Sequence, residues 1–467
     1  MRKGLFSGGR WRAGSGVVEV RDPYTGEVVG AVARADRGQV LDAVRDLTAF
    51  RPSLTAYDRA EVLAATAGAV RAERDDFADL ISRESGLSVS DGRREVDRAV
   101  AQLEYAAEEC KRITGEVVGT DVTGARQRRL AITTREPIGV VCAITPFNRP
   151  LNQVVTKVAP AVAAGNRVVV KPSEKTPLSA VRFVETLVRS GLPARMIALV
   201  VGDPREVVGA LLDSGGIDMV TFTGSTAVGK AIARSAGMLK QTYELGDSGA
   251  LVVMEDADVP AAVAAATAGA FATSGQSCRG VKRVVAHVDV ADEVAAGLAA
   301  AASALVVGDP RDPTTDVGTL IDEAAALEVE RRVALAVAQG AEVLCGGVRA
   351  GAQYRPTVLD HVPGNAELVR SETFGPIAPV VRVTDFEHAV DVVNGTSFGL
   401  QAGIFTRGLD YARRAAELFE VGALIVNGGP QFESPNIPFG GVKDSGIGRE
   451  GVKYAIEEMT RVKTIVW

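Results

Sequence analysis

After Pro137 the sequence settles into short, unbroken apolar runs, Ile138 to Ile144, Arg167 to Val170, Ile197 to Val201 and Met219 to Phe222, separated by helical segments. A strand that is apolar at successive positions must be covered on both faces, and the helices between such strands provide the cover. The pattern predicts a parallel sheet with helices on both sides. A second alternation runs from about Leu251 to Val426, with a helix near Val259 to Phe271, a strand near Val281 to Ala286 and a helix near Ala291 to Ala302. Two stacked α/β domains are therefore expected, and 467 residues suffice for two cores. Their boundary is placed at Gly246 to Gly249, where Gly-Asp-Ser-Gly separates two apolar stretches. Ahead of the first alternation, Val40, Leu41, Val44 and Leu47, then Val96, Val100, Leu103 and Ala107, repeat at helical spacing. The charged segment Arg126 to Arg135 alternates weakly and reads as an exposed edge strand in need of a partner, for which another subunit would serve.

Charge narrows the partners. With 52 basic against 58 acidic residues the net charge is -6, and no long basic run is present, so nucleic acid and anionic membrane are not expected. The alanine-rich stretch from Val259 to Thr273 is shorter than the roughly 20 residues of a membrane span. The first residues lack the apolar core of a signal peptide, so a cytoplasmic location is expected. Cys110, Cys142, Cys278 and Cys345 lie far apart and should be free thiols, and the three histidines lack ligand spacing, so no metal is expected.

Four short motifs carry chemistry. In Gly275-Gln-Ser-Cys-Arg-Gly280 a cysteine sits between two glycines in a loop after the alanine-rich helix. A free cysteine is more often buried and inert. The adjacent Arg279 singles out Cys278, because a nearby cation favours the thiolate that attacks carbonyls. Thr145-Pro146-Phe147-Asn148 follows the first apolar strand, where ligands collect at the carboxyl ends of a parallel sheet, and Asn148 is either a turn residue or an oxyanion donor. Glu244, at the end of a strand, is either a solvated charge or a base. Gly224-Ser-Thr-Ala-Val-Gly-Lys230 nearly matches the phosphate loop of nucleotide hydrolases, but Ala231 stands where a hydroxyl must hold magnesium. A helix start after glycine still offers N–H groups to a dinucleotide pyrophosphate.

Taken in order, the Asn148 turn, Lys171-Pro-Ser-Glu174, Phe222-Thr-Gly-Ser225, Glu244-Leu-Gly246, Gly275-Gln-Ser-Cys278 and Glu372-Thr-Phe-Gly-Pro376 resemble the aldehyde dehydrogenase superfamily over nearly the whole chain. The resemblance implies a Rossmann-like cofactor domain from 1–116 and 137–246, an α/β catalytic domain from 247–440, and a small β oligomerisation arm from 117–136 and 441–467. It implies that Cys278 attacks the aldehyde, that the Asn148 amide and the Cys278 N–H hold the oxyanion, and that Glu244 activates the water that hydrolyses the thioester. For the cofactor it implies Lys171 and Glu174 at the adenosine ribose, Ser225 at a phosphate, Glu372 at the nicotinamide ribose and Phe374 at the ring. Thr145, Pro146, Phe147, Ser173, Gly224 and Gly246 line the same groove. Glu174 accepts from free ribose hydroxyls and repels a 2′-phosphate, which favours NAD, with NADP as the alternative. One departure stands out: the family usually has glycine where this chain has Asp247, which either raises the pKa of Glu244 or faces solvent.

The positions after the oxyanion asparagine and after the nucleophile line the substrate tunnel in this family, and here they are Arg149 and Arg279, with Asn152 and Tyr105 nearby. Two arginines in a narrow pocket call for an anion unless a local carboxylate pairs with them. The stretches Asn152-Gln153, Lys157 to Pro160 and Lys171 to Lys175 look like phosphonoacetaldehyde dehydrogenases. The expected substrate is a small anionic aldehyde, with a phosphonate aldehyde preferred and succinate semialdehyde, lactaldehyde or glyceraldehyde 3-phosphate as alternatives. A homodimer or homotetramer is expected. Two rival readings are a nucleotide hydrolase built on the phosphate-loop-like motif and an acylating relative that uses coenzyme A. The acylating reading needs no base at Glu244.

Overall fold

The computed structural model describes residues 2–124 and 129–467. Its larger sheet has five parallel strands, in lateral order Lys240–Glu244, Met219–Thr223, Val140–Ile144, Arg167–Lys171 and Ile197–Leu199. Antiparallel Gly446–Ile447 adds at one edge and the hairpin Leu5–Ser7/Arg10–Arg12 at the other. The unbroken apolar runs are explained by two cores on opposite faces. Val141 and Ala143 meet Leu103 and Phe183 on one side, whereas Val140, Cys142 and Ile144 meet the core containing Leu47 and Leu211 on the other.

Chain order makes this sheet a ligand platform. Three strands build outward from Val140–Ile144, and the chain then crosses back to lay Met219–Thr223 on the other side, pairing Phe222 with Ile144. The crevice lies at that reversal, beyond the carboxyl ends of the two strands. It receives the turns Thr145 to Asn148 and Thr223 to Ser225.

The second sheet runs Glu342–Cys345, Thr357–Asp360, Ile377–Val383, Arg283–His287, Ala250–Val253, Gln401–Phe405 and Ala423–Val426, parallel except for the first strand. The helix expected near Val259 to Phe271 is Val259–Phe271, and the one expected near Ala291 to Ala302 extends over Val288–Ala304. Four helices precede the five parallel strands of the first sheet: Arg37–Ala49, Ala56–Ala72, Arg74–Ser85 and Val89–Cys110. Asp36 with Gln39 and Thr55 with Asp58 form reciprocal capping boxes that fix where the first two begin.

The charged segment near Arg135 departs from the expectation of an exposed edge. Strand Ala131–Pro137 is the middle of three, covered along its length by Thr460–Val466 and at one end by Val117–Val118. The open edge is instead the C-terminal strand. Residues 126–128 of the expected strand lie outside the described residues. Between these parts of the chain, Val452–Glu458 forms a helix against the Asn152–Ala163 helix of the first domain. Among the described residues no helix is long and apolar enough to cross a membrane.

Candidate active site

The nucleophile loop begins where the Val259–Phe271 helix stops. Thr273 and Ser274 adopt φ of 54° and 53°, followed by Gly275 at 69°, so three successive residues are left-handed. Such backbone costs of order 1–3 kcal/mol per non-glycine residue and persists only where its surroundings hold it. At Gly275 a side chain is excluded, because a Cβ would lie 2.0 Å from the Gly375 carbonyl oxygen. Three anchors hold the turn: Asp91 accepts from the Thr273 N–H at 2.9 Å, Gln276 Oε1 accepts from the Ile321 N–H at 2.9 Å, and Lys282 Nζ donates to the Gly275 carbonyl at 2.7 Å. Cys278 is thereby offered, partly exposed, to a cavity of about 250 Å³.

Asn148 reaches this cavity from the first sheet, and its Nδ2 donates to the Gln276 carbonyl at 2.8 Å. The bond fixes the amide beside the thiol and leaves its second hydrogen for a ligand. Glu244, last residue of its strand, is buried, and neither carboxylate oxygen has a hydrogen-bond partner. Burial holds its pKa well above the usual carboxylate range. The Glu450 charge adds to the effect, and Lys157, Arg449 and Arg279 oppose it. Lys157 and Glu450 form a buried ion pair at 2.5 Å.

The thiol itself corrects the expectation drawn from Arg279. Burial pushes Cys278 up to about 11; Arg279 and Arg149 pull down, but Glu372 and Glu244 push up. The adjacent cation is outweighed, and at neutral pH the sulfur carries its proton.

Along the crevice, Ser225 precedes the Thr226–Ala236 helix and makes no side-chain cap bond, which leaves its hydroxyl to a ligand. The buried Thr145 and Thr223 hydroxyls likewise have no partner. A Cβ on Gly224 would meet the Phe222 ring at 2.5 Å, and one on Gly246 would meet Glu372 Oε2 at 2.6 Å, so backbone approaches closely at both places. Lys171 Nζ pairs with Glu174 at 3.3 Å, and Ser173 Oγ accepts from the Lys175 N–H. Phe374 meets Phe147 edge to face at 5.9 Å, and Pro146 lines the same cavity. Unpartnered hydroxyls at a helix start, with glycines that admit a close backbone approach, fit a dinucleotide. The phosphate-loop reading fails on its lysine, since Lys230 points to Asp444 with Nζ 2.6 Å from its carboxylate.

Asp247 takes neither expected role. Its buried carboxylate accepts from the Leu400 and Gln401 N–H groups, and burial pushes its pKa to about 7. It ties the link between the sheets to the start of strand Gln401–Phe405.

Arg279 is paired, with Nη2 2.5 Å from Glu433. The expectation of two unpaired arginines is corrected to that extent. Arg149 is buried, and its guanidinium has no hydrogen bond or ion pair among the described residues. Arg98, which sequence reasoning missed, also reaches Glu433 at 3.7 Å, and Arg149 and Arg279 both depress its pKa. Two guanidinium groups thus share one carboxylate, and Arg149 adds a third positive charge beside them. Burial raises Glu95 to about 7, and the Arg149 charge and the Leu151 and Asn152 N–H groups, from which it accepts, oppose that shift. Asn152 Oδ1 is buried without a partner. Tyr105 is half-buried, and burial and the neighbouring Glu109 raise its pKa.

Known proteins match this arrangement along the whole chain. The Aldehyde dehydrogenase family model matches residues 11–465. A 3-sulfolactaldehyde dehydrogenase of Priestia megaterium is 39% identical over 464 residues, covering 99% of this chain and 97% of that protein. A lactaldehyde dehydrogenase of Methanococcus maripaludis is 35% identical over 469 residues, covering 99% of each. Among solved structures, an NADP-dependent glyceraldehyde-3-phosphate dehydrogenase from Bacillus halodurans, complexed with NADP, superimposes with a TM-score of 0.97 at 32% identity, covering 100% of this chain and 99% of that one. A cysteine loop and an amide donor that line one cavity, in a chain matched end to end by these proteins, accord with its membership of the aldehyde dehydrogenase family, oxidoreductases that use NAD or NADP.

Proposed function

We propose that the chain oxidises a short aldehyde with a strongly acidic head group, a phosphonate or sulfonate, to the carboxylate, with NAD as the preferred acceptor. The observation that carries this reading is the unpaired, buried Arg149 guanidinium beside Arg98 and Arg279, which share Glu433. An excess of buried positive charge is unfavourable until an anion completes it. Relatives named for sulfolactaldehyde and glyceraldehyde 3-phosphate support an anionic head on a short chain. Arg149→Ala is expected to raise KM for such aldehydes roughly 10- to 100-fold, the worth of one charge-assisted hydrogen bond, and to leave a neutral aldehyde of equal length unaffected. Steady-state rates on the matched pair decide it, and an equal loss on both would remove the anion pocket.

In this reading the Cys278 sulfur gives its proton to solvent and adds to the carbonyl carbon, whose π electrons move to oxygen. Asn148 Nδ2 and the Cys278 N–H donate to that oxyanion. When bound, the nicotinamide supplies the acceptor for the hydride, whose loss leaves a thioester on Cys278. Glu244 then deprotonates a water, which attacks the thioester carbon and expels the thiolate. Ser225 and the helix start behind it hold the pyrophosphate, and Glu372 a ribose.

Glu174 sets the cofactor choice. Its carboxylate accepts from ribose hydroxyls and holds Lys171, and both functions oppose a 2′-phosphate. Glu174→Gln is expected to improve kcat/KM with NADP about tenfold relative to NAD, because a repulsion is removed and Lys171 is released. Competing cofactor titrations measure the ratio.

We assign cofactor binding to 1–116 and 137–246 and catalysis to 247–440. The three-stranded arm has an open edge at Thr460–Val466, with Val462, Val466 and Trp467 exposed, which supports pairing with a second copy in a homodimer or homotetramer. Four free thiols are in keeping with the reducing cytoplasm.

A further inference from the structure

Lys282 lies four residues beyond the nucleophile and is only 3% exposed. A buried ammonium costs several kcal/mol unless its charge and protons are used. Among the described residues it has no carboxylate at ion-pair distance. It uses its charge differently: Nζ donates to the Gly275 carbonyl at 2.7 Å and stands 5.1 Å from the centre of the Phe374 ring. One head group thus touches both the left-handed turn that presents Cys278 and the loop that bears Glu372 and Phe374. Burial lowers its pKa to about 8, and Glu372, Cys278 and Asp247, which face it electrostatically, oppose that shift. Around the sulfur itself Arg279 and Arg149 oppose Glu372 and Glu244. Coulomb attraction is mutual, so a cation that gains from an ionised Cys278 favours that ionisation in return.

We propose that Lys282 is a positioning residue for aldehyde oxidation: its ammonium ties the turn ahead of Cys278 to the Glu372–Phe374 loop and supplies positive charge that favours the Cys278 thiolate. This rests on Cys278 being the nucleophile. The test is alkylation of the full-length enzyme by iodoacetamide, a neutral reagent, as a function of pH, with the labelled peptide identified by mass. In Lys282→Met the rising limb at Cys278 is expected to move upward, slowing alkylation roughly tenfold at about pH 7, while Lys282→Arg stays within about threefold of wild type. Lys282→Gln keeps a donor for Gly275 without the charge and decides the matter if the methionine variant does not fold. Slowed alkylation in Lys282→Gln at an unchanged melting temperature supports the charge. A profile that superimposes on wild type in the neutral variants overturns the proposal, whatever happens to KM for NAD. A fast-reacting thiol that survives in Cys278→Ala faults the nucleophile assignment instead.

Discussion

Replacing Cys278 by serine is expected to lower kcat for aldehyde oxidation by at least about 10⁴-fold while leaving NAD binding intact. The two side chains have nearly the same shape, and position 278 is partly exposed to the cavity, so neither a void nor an unpaired buried group follows. What changes is ionisation. The cysteine is already pushed up to about 11 by burial and by two carboxylates, and a hydroxyl starts several units higher still. Glu244 has a raised pKa but remains far too weak a base to ionise serine. The measurement is the rate of reduced-cofactor formation alongside cofactor titration by fluorescence quenching. A serine variant within tenfold of wild type would remove the covalent route altogether. Cys142 offers no substitute, since it is enclosed between strands and pushed up to about 12 by burial.

Glu244→Gln is expected to separate the two halves of the reaction. Acylation proceeds through Cys278, but the thioester persists because glutamine cannot take a proton from water. A rapid burst of about one reduced cofactor per site should precede turnover slowed roughly 10²- to 10⁴-fold. The pH dependence follows from the same carboxyl. Burial and the Glu450 charge raise its pKa, so the basic form accumulates only as pH climbs through that raised value. In the wild type kcat should therefore rise with pH across that range and fall on acidification, and the glutamine variant should lose this limb. Stopped-flow traces test the burst. Slow turnover without one would place the defect before the thioester and reassign Glu244.

How much of this was legible in the sequence depended on whether the deciding neighbour was local. The first sheet was readable because double-sided burial leaves an unbroken apolar signature, and Val140–Ile144 carries it at every position. The strand expected at Val281 to Ala286 begins two residues later, at Arg283, because Val281 and Lys282 belong to the nucleophile loop, whose N–H groups bond to Gly269 and Gly249. Cys278, Asn148 and Glu244 were legible as motifs. The partners that set their chemistry were not, because those lie far along the chain. Arg279 meets a carboxylate 154 residues away, and Asp247 meets backbone 153 residues away. Arg98 lacked a local mark, since one arginine on a helix rich in charge reads as solvated. Lys157 had such a mark, a lone cation amid Val154, Val155, Val158 and Ala159, and proved to be the buried partner of Glu450.

Glu244 ends a strand of the first sheet and Ala250 opens a strand of the second, so residues 245–249 are at once the support of the base and the joint between two sheets. The sulfur is carried on the other side of that joint, by the loop leading into Arg283–His287. The placement of carboxyl relative to sulfur is therefore inherited from how the two sheets are joined, as the two arms of a pair of tongs share one pivot.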